Sequence, residues 1–262
     1  MKVVLFCGGL GLRIGDGANS TPKPMVTIGH RPILWHVMKY YAHYGHKDFI
    51  LCLGHKSGAI KDYFLHYSEA VSNDFVLSAG GRSLEYLNRD IEDWRITFVE
   101  TGLHSTIGQR LRAVRDHLAD EEVFLANYSD GLSDLDLPSV IDELVAGPCV
   151  ASVLCVRPPL SYHAIEIGEG KLVQSVHPFS EVGPLINGGF FVLRRAIFDY
   201  YKDGEDLVVH GFPRLVQKQL LLGHHHKGFW ASMDTFKDKQ ALEELYSRGD
   251  APWEIWRRGA RP

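Results

Sequence analysis

The start of the chain limits its fold most strongly, because a strand-length apolar run leads straight into a glycine-rich segment. Residues 2–7 are largely apolar, and residues 8–13 read Gly-Gly-Leu-Gly-Leu-Arg. Apolar residues at helical spacing over 32–44, a continuous apolar run over 48–53 and a second helical segment over 57–67 follow. This strand–helix–strand–helix order predicts a parallel, doubly wound α/β sheet.

The glycine-rich segment is suited to binding a polyphosphate. Glycines let backbone N–H groups approach an anion closely. Arg13 and the proline-flanked Lys23 add two cations. No Gly-Lys-Ser/Thr follows, which excludes a Walker loop, and Ile14 replaces the third glycine of a dinucleotide fingerprint. An ordinary tight turn remains an alternative for the glycines alone.

Composition narrows the class of protein. The 262 residues are 45% hydrophobic and 23% charged, which is typical of a soluble globular chain and favours one domain. A net charge of −4 gives no electrostatic reason to expect nucleic acid or an anionic membrane as partner. The four cysteines lie in apolar runs without a C-x-x-C pair, so we expect buried, reduced thiols and a cytoplasmic enzyme.

Two isolated acids follow strand-like runs. Asp130 comes after the apolar run 123–126, and Asp234 ends the segment 227–235. An acid at the carboxyl end of a parallel strand faces the crevice where such sheets bind ligands, although Asp130 before glycine could equally cap a turn. Further along, we expect antiparallel strands over 164–167 and 171–176, one strand over 186–193, helices over 196–202 and 212–222, and a surface run at 224–226.

Five motifs, in this order, resemble those of the sugar-1-phosphate nucleotidyltransferases: Gly8-Gly9-Leu10-Gly11-x-Arg13, Pro22-Lys23-Pro24-Met25, Tyr128-x-Asp130-Gly131, Asn187-Gly188-Gly189-Phe190 and Trp230-x-x-Met233-Asp234-Thr235. Other stretches resemble the cytidylyltransferase branch, among them Pro32-Ile33-Leu34-Trp35-His36 and Gly228-Phe229-Trp230. The resemblance covers essentially the whole chain. It implies a Rossmann-like three-layer α/β/α fold with a mixed, mostly parallel sheet. Residues 1–135 would form the nucleotide half and 136–262 the sugar-phosphate half of a single domain.

The resemblance also implies roles for individual residues. Arg13 and Lys23 would be catalytic, with Lys23 acting on the α-phosphate, and Asp130 and Asp234 would hold Mg²⁺. The implied nucleotide-binding residues are Phe6, Cys7, Gly8, Gly9, Leu10, Gly11, Leu12, Arg13, Lys23, Ser105, Arg110 and Ser129. The implied acceptor-binding residues are His177, Asn187, Gly188 and Gly189. The partners would be a nucleoside triphosphate, with CTP favoured, a sugar phosphate, and further copies of the chain.

The sequence departs from the family in places, and one departure bears on the acceptor. Leu12, Ile107, Gln109, Ser129 and the stretch Phe212-Pro213-Arg214 differ from the usual residues. A sugar-binding Glu-Lys-Pro is expected shortly before Asn187, but the chain has His177-Pro178-Phe179. Either another cation substitutes (Arg157, Lys171 or Arg214), or the acceptor differs and His177 reads another group, or residues 177–178 simply form a turn.

Three functions are therefore weighed. The first is a cytidylyltransferase that uses glucose 1-phosphate or a related sugar 1-phosphate. The second is the same chemistry with another nucleotide, another sugar phosphate or a cyclitol phosphate. The third is a catalytically weak regulatory protein that binds nucleotide, which the presence of Lys23, Asp130 and Asp234 disfavours.

Overall fold

The computed structural model describes residues 1–9, 21–158 and 162–257. Leu10, Gly11, Leu12 and Arg13 lie outside these ranges. The strands are β1 Lys2–Phe6, β2 Thr27–Ile28, β3 Arg31–Pro32, β4 Asp48–Leu53, β5 Phe75–Ser78, β6 Ser83–Tyr86, β7 Arg95–Glu100, β8 Val123–Tyr128, β9 Gly131–Ser133, β10 Ala151–Val156, β11 His163–Ile167, β12 Val173–Pro178, β13 Ile186–Asn187, β14 Phe191–Arg194, β15 Leu221–His225 and β16 Trp230–Ser232.

In the part of the chain that the structure describes, eight α-helices accompany them: α1 Ile33–His43, α2 Ser57–Leu65, α3 Glu69–Ser72, α4 Ile107–Ala113, α5 Leu137–Ala146, α6 Phe179–Val182, α7 Phe212–Gln217 and α8 Phe236–Ser247. Short 3-10 helices include Lys23–Met25, Arg115–Leu118 and Arg195–Asp199, and a π-helical turn, Leu207–Gly211, precedes α7. No helix within the described ranges is long and apolar enough to cross a membrane.

One mixed sheet of eight strands organises the molecule. β1 pairs in parallel with β4 and with β8, and β4 pairs in parallel with β7. β14 joins the other side of β8 in antiparallel orientation and continues to β10, which pairs in parallel with β15. The strand–helix alternation of the first 67 residues therefore gives the parallel pair β1–β4, as predicted, and β7 and β8 extend this parallel half of the sheet.

The core lies on both faces of this sheet. Alternate residues of β1 enter different clusters: Val3 and Leu5 pack with α1, whereas Val4 and Phe6 pack with α4. A strand whose two faces are both buried reads as a continuous apolar run, which explains the pattern at residues 2–7 and 48–53. Helices cover both faces, and the Rossmann-like three-layer α/β/α class is confirmed.

Several local expectations were wrong, each for a physical reason. The helix expected over 212–222 ends at Gln217, because Gln219 adopts a positive φ of 57° and the apolar residues that follow pair with β10 as β15. The strand expected over 186–193 is interrupted between β13 and β14, where Gly189 has φ 80° and Phe190 has φ 46°. His226 is not a surface residue, since its side chain is 12% exposed and lies 3.0 Å from an Asp134 carboxylate oxygen.

Among the hairpins of the described residues that lie outside the eight-stranded sheet, β5–β6 and β11–β12 are largely exposed. β5 pairs with β6, a strand that the polar stretch 78–93 does not predict, and β11 pairs with β12 as expected. Both hairpins expose apolar side chains, among them Val76, Leu77, Ile165, Ile167 and Val176.

Candidate active site

A short antiparallel ribbon brings the two isolated acids together. In the β9–β16 pair Ser232 lies opposite Gly131, and the backbone N–H of Met233 donates to the Asp130 carbonyl at 3.1 Å. Asp130 immediately precedes β9, and Asp234 follows β16. Antiparallel pairing places residues at the start of one strand beside residues at the end of the other, so the two carboxylates become neighbours.

Lys23 lies between these carboxylates. Its ammonium contacts Asp130 Oδ2 and lies 2.7 Å from Asp234 Oδ1, and Ser232 Oγ donates to the other Asp234 oxygen at 2.8 Å. The lysine opens a 3-10 turn flanked by Pro22 and Pro24, which fixes the backbone from which it reaches the acids. Burial disfavours the ammonium, but its attraction to and hydrogen bonds with the two carboxylates outweigh burial and raise the pKa of Lys23.

Asp130 and Asp234, called the acidic pair below, are suited to a hard cation that is bound together with a substrate. One ammonium already contacts both carboxylates, so a single cation can be shared between Asp130 and Asp234. Within the described ranges no cluster of three or more His, Cys, Asp or Glu side chains could hold a metal by itself. Mg²⁺ commonly uses one or two protein carboxylates and completes its shell with phosphate oxygens and water.

The backbone at the end of β1 rests on Arg110. This guanidinium is 4% exposed and donates to the Gly8 carbonyl at 2.9 Å, to Thr101 Oγ1 at 2.7 Å and to the Leu53 carbonyl at 3.1 Å. A Cβ on Gly8 would lie 2.0 Å from Arg110 Nη1, so only glycine fits above the guanidinium. Arg110 therefore supports the backbone at Gly8, and its predicted place beside a nucleotide stays a prediction.

The other predicted nucleotide residues surround the same strand end. Phe6 and Cys7 are buried, and Ser129 Oγ donates to the Phe6 carbonyl at 2.9 Å. Ser105 Oγ donates to the Thr101 carbonyl, at the start of the segment that carries Arg110. Burial raises the pKa of the Cys7 thiol to about 12, so this cysteine remains a neutral packing residue. Gly9 is exposed, with open space where a Cβ would lie.

The predicted acceptor residues Asn187, Gly188 and Gly189 lie beside the ribbon. Asn187 Nδ2 donates to the Tyr128 hydroxyl at 3.2 Å, and its Oδ1 accepts from Gly189 N–H at 2.9 Å. Trp230 Nε1 donates to the Gly188 carbonyl at 2.9 Å. A Cβ on Gly189 would come within 2.3 Å of Asn127 Oδ1. The β13–β14 interruption is therefore packed closely against the ends of β8 and β16.

The structure does not place His177 with this group. His177 is exposed on β12, opposite Ala164, and its described contacts include neither Asn187 nor the acidic pair. The interpretation of residues 177–178 as a turn was wrong, because β12 extends to Pro178. Arg214 is engaged elsewhere: Nη2 donates to Glu205 at 2.7 Å and Nη1 donates to the Tyr200 carbonyl at 3.0 Å.

Sequence reasoning assigned no role to three side chains that position the site, although Tyr128 and Trp230 belong to the motifs that carry the resemblance. Tyr128 holds Asn187, Trp230 holds Gly188, and Ser232 holds Asp234. The last two alternate with Asp234 along the chain, which is the spacing of one strand face, but a three-residue strand is too short for that pattern to stand out.

Comparisons with solved structures agree with the fold. The structure resembles UTP-bound UGPase from Acinetobacter baumannii (TM-score 0.68, 16% identity, 99% of this chain and 97% of that one). It also resembles HddC from Yersinia pseudotuberculosis (TM-score 0.66, 19% identity, 94% and 99%). At these identities the likeness shows the fold. No protein-family model matches the chain.

Sequence relatives define the family. The chain is 39% identical over 257 residues to a glucose-1-phosphate cytidylyltransferase of Salmonella typhimurium, covering 98% of this chain and all of the relative. It is 35% identical over 258 residues to a probable glucose-1-phosphate cytidylyltransferase of Bacillus subtilis, with the same coverage. The chain thus belongs to the sugar-1-phosphate nucleotidyltransferases, within the group of glucose-1-phosphate cytidylyltransferase homologues, and is a nucleotide-sugar-forming transferase.

Proposed function

We propose that the chain uses Mg²⁺ to transfer the cytidylyl group of CTP to glucose 1-phosphate or a related sugar 1-phosphate. A phosphate oxygen of the acceptor attacks the α-phosphorus of CTP, the bond from that phosphorus to the β-phosphate oxygen breaks, and pyrophosphate leaves. The observation that carries the proposal is the contact of Lys23 with both Asp130 and Asp234. Such transfer depends on positioning and on charge stabilisation more than on a protein nucleophile.

Each residue of the cluster has a task in this reaction. Asp130 and Asp234 would hold Mg²⁺, which when bound neutralises phosphate charge and orients the triphosphate. Lys23 would move its ammonium from the carboxylates to the α-phosphate and stabilise the charge that develops there. The backbone at Gly8 and Gly9, which Arg110 supports at Gly8, would bind the triphosphate through its N–H groups, together with Arg13.

The test is pyrophosphate release with CTP, UTP, GTP or dTTP and glucose 1-phosphate, with Mg²⁺ or with a chelator. We expect CTP to give the highest kcat/KM and the chelator to abolish release. Equal kcat/KM values for all four nucleotides would contradict the CTP assignment, and full activity in chelator would contradict the metal assignment.

A second acceptor deserves the same assay. The Glu-Lys-Pro expected by resemblance is His177-Pro178-Phe179, and His177 is exposed on a hairpin. This observation favours weak use of glucose 1-phosphate, or a preference for another phosphorylated sugar or cyclitol. A KM for glucose 1-phosphate in the low micromolar range at saturating CTP and Mg²⁺ would contradict the altered acceptor.

We also propose that the chain self-associates. The exposed apolar side chains of the β5–β6 and β11–β12 hairpins support this, because isolated two-stranded hairpins are marginally stable in water.

A further inference from the structure

A cavity of about 450 Å³ opens at the carboxyl ends of β10 and β15. Its lining includes Arg157, Glu181, His226, Lys227, Gly228 and Trp230. Its volume is in the range of sites for small molecules. Parallel strands end at the same edge of a sheet, and ligands of open α/β sheets bind at this edge.

Two cations enter the cavity from these neighbouring strands. Arg157 directly follows β10, and Lys227 follows β15, whose His225 lies opposite Cys155 of β10. Both side chains are exposed, and within the described ranges no ion pair engages either. Glu181 is the carboxylate in the lining, so two full positive charges face one negative charge. This balance favours an anionic ligand. Glu181 could accept hydrogen bonds from hydroxyl groups of that ligand.

Asp134 holds the loop that carries Lys227. The Oδ1 atom of Asp134 accepts a hydrogen bond from Phe229 N–H at 2.8 Å and lies 3.0 Å from His226 Nε2. A Cβ on Gly228 would meet the same oxygen at 2.5 Å, so the chain passes very close to the carboxylate. Lys227 is therefore presented by an ordered backbone, which lowers the entropy lost on binding a ligand.

Trp230 connects the cavity to the acidic pair. Its indole lines the cavity and donates to the Gly188 carbonyl at 2.9 Å. Trp230 and Ser232 are alternate residues of β16 and share a face of the ribbon, and Ser232 hydrogen-bonds to Asp234. Trp230 thus lies in the cavity wall and two residues from Ser232, the hydrogen-bond partner of Asp234.

We infer that Arg157 and Lys227 bind an anionic group of the acceptor and take the place of the lysine absent at Pro178. The inference rests on the proposed function. The other cations considered do not compete: Arg214 is paired with Glu205, and Lys171 lies at the turn of the β11–β12 hairpin, away from the cavity lining.

The test uses three cavity variants: Arg157→Ala, Lys227→Ala and the double variant that carries both changes. The control is Lys171→Ala, which removes a positive charge from the turn of the β11–β12 hairpin. Loss of one charge-assisted contact corresponds to about a ten-fold or greater rise in the acceptor KM. We expect that rise in each cavity variant, and we expect the KM for CTP to stay within about two-fold of its value in the unmodified protein. The control variant is expected to keep both KM values. Circular dichroism melting checks that every variant is folded.

Two acceptors identify which anion is bound. If the cations bind the reacting phosphate, the variants raise the KM for glucose 1-phosphate and for glucose 1,6-bisphosphate alike. If they bind a second acidic group, the starting enzyme prefers the bisphosphate and the variants lose only that preference. Either result supports the inference, and an unchanged KM for both acceptors in the double variant overturns it.

Direct binding separates this inference from the proposed function. Turnover by the starting enzyme with unchanged KM values in the double variant overturns the inference alone. If no nucleotide supports turnover, calorimetric titration with glucose 1-phosphate and with glucose 1,6-bisphosphate decides: binding of either ligand that the double variant loses supports the cavity and overturns only the proposed reaction. Equal heats in the unmodified protein and the double variant with both ligands overturn the cavity assignment.

Discussion

At the scale of single residues, Lys23 has a different partner at each stage of the proposed reaction. In this structure its charge is neutralised by Asp130 and Asp234, and its raised pKa keeps it protonated at neutral pH. In the transition state the same charge would serve the α-phosphate. A residue that acts mainly there contributes to kcat more than to nucleotide binding.

Lys23→Ala is therefore expected to lower kcat by about 100-fold or more, the scale found when a preorganised charge-stabilising donor is removed. The KM for CTP should rise by much less. Steady-state kinetics at saturating Mg²⁺ measure both values, and Lys61→Ala, which removes an exposed ion pair with Glu100, is the matched control. A variant that binds CTP poorly yet turns over normally would show that Lys23 contributes to CTP binding and not specifically to the transition state.

Asp130→Asn and Asp234→Asn test the metal assignment. Each replaces a charged ligand of the cation with a neutral amide of the same shape, so we expect turnover to fall by about 100-fold or more, with a higher Mg²⁺ concentration for half-maximal rate. Asp136→Asn is the control, because Asp136 is exposed and makes no side-chain cap to α5. Near-normal turnover and an unchanged Mg²⁺ dependence in either variant would remove that residue from the metal site.

At the scale of elements, what the sequence predicts depends on the length of the element. The long buried strands β1, β4 and β8 follow from continuous apolar runs, and Asp130 follows from its place after β8. The β9–β16 ribbon could not be predicted, because two three-residue strands carry no periodicity and their pairing is a tertiary contact. Leu220, Leu221 and Leu222 fit a helix or a strand equally well until β10 supplies a partner for β15.

Gly189 tests whether the break between β13 and β14 is needed for the site. Gly189→Ala places a Cβ at positive φ and 2.3 Å from Asn127 Oδ1, whereas Gly170→Ala has a similar φ of 69° with open space around it. Holding an alanine at positive φ costs about 1–2 kcal/mol in both variants. We expect Gly189→Ala to lower the free energy of unfolding by about 1–3 kcal/mol more than the control, because the added atom overpacks the site.

The acceptor KM of Gly189→Ala should also rise, since Asn187 is hydrogen-bonded to Gly189 and must move with it. Urea unfolding and acceptor kinetics measure the two effects. Equal unfolding free energies for the two alanine variants would show that the contact with Asn127 relaxes without cost.

At the scale of the whole molecule, both halves of the sequence contribute strands to one sheet. β8 pairs with β1 on one side and with β14 on the other, and Lys23 from the first half meets Asp234 from the second. The family resemblance predicted this joint site from short motifs. The roles of Trp230 and Tyr128 required the folded arrangement, because hydrogen bonds to Gly188 and Asn187 leave no trace in the sequence.

The exposed apolar residues of the β11–β12 hairpin lead to a prediction about assembly. Ile165 and Val176 lie opposite each other in β11–β12 and are 58% and 56% exposed. We expect a mass in sedimentation equilibrium above the 29.5 kDa of one chain, and dissociation when both are changed to Glu, because charges without a counter-charge are costly to bury. Val145→Glu, on a 53% exposed helix residue, should not change the mass. A monomeric starting protein would contradict the proposed self-association.

The pairing of β9 with β16 has a consequence for when the protein becomes active. The contact between Lys23 and Asp234 joins residues 211 positions apart, and closing so long a loop comes late when a chain of non-local topology folds. A chain that had formed only the strands up to β8 would hold Lys23 and Asp130 but lack the second acid. We therefore expect catalysis to appear, during synthesis or refolding, only once the C-terminal third has docked, so that recovered turnover reports completed folding more strictly than recovered secondary structure does.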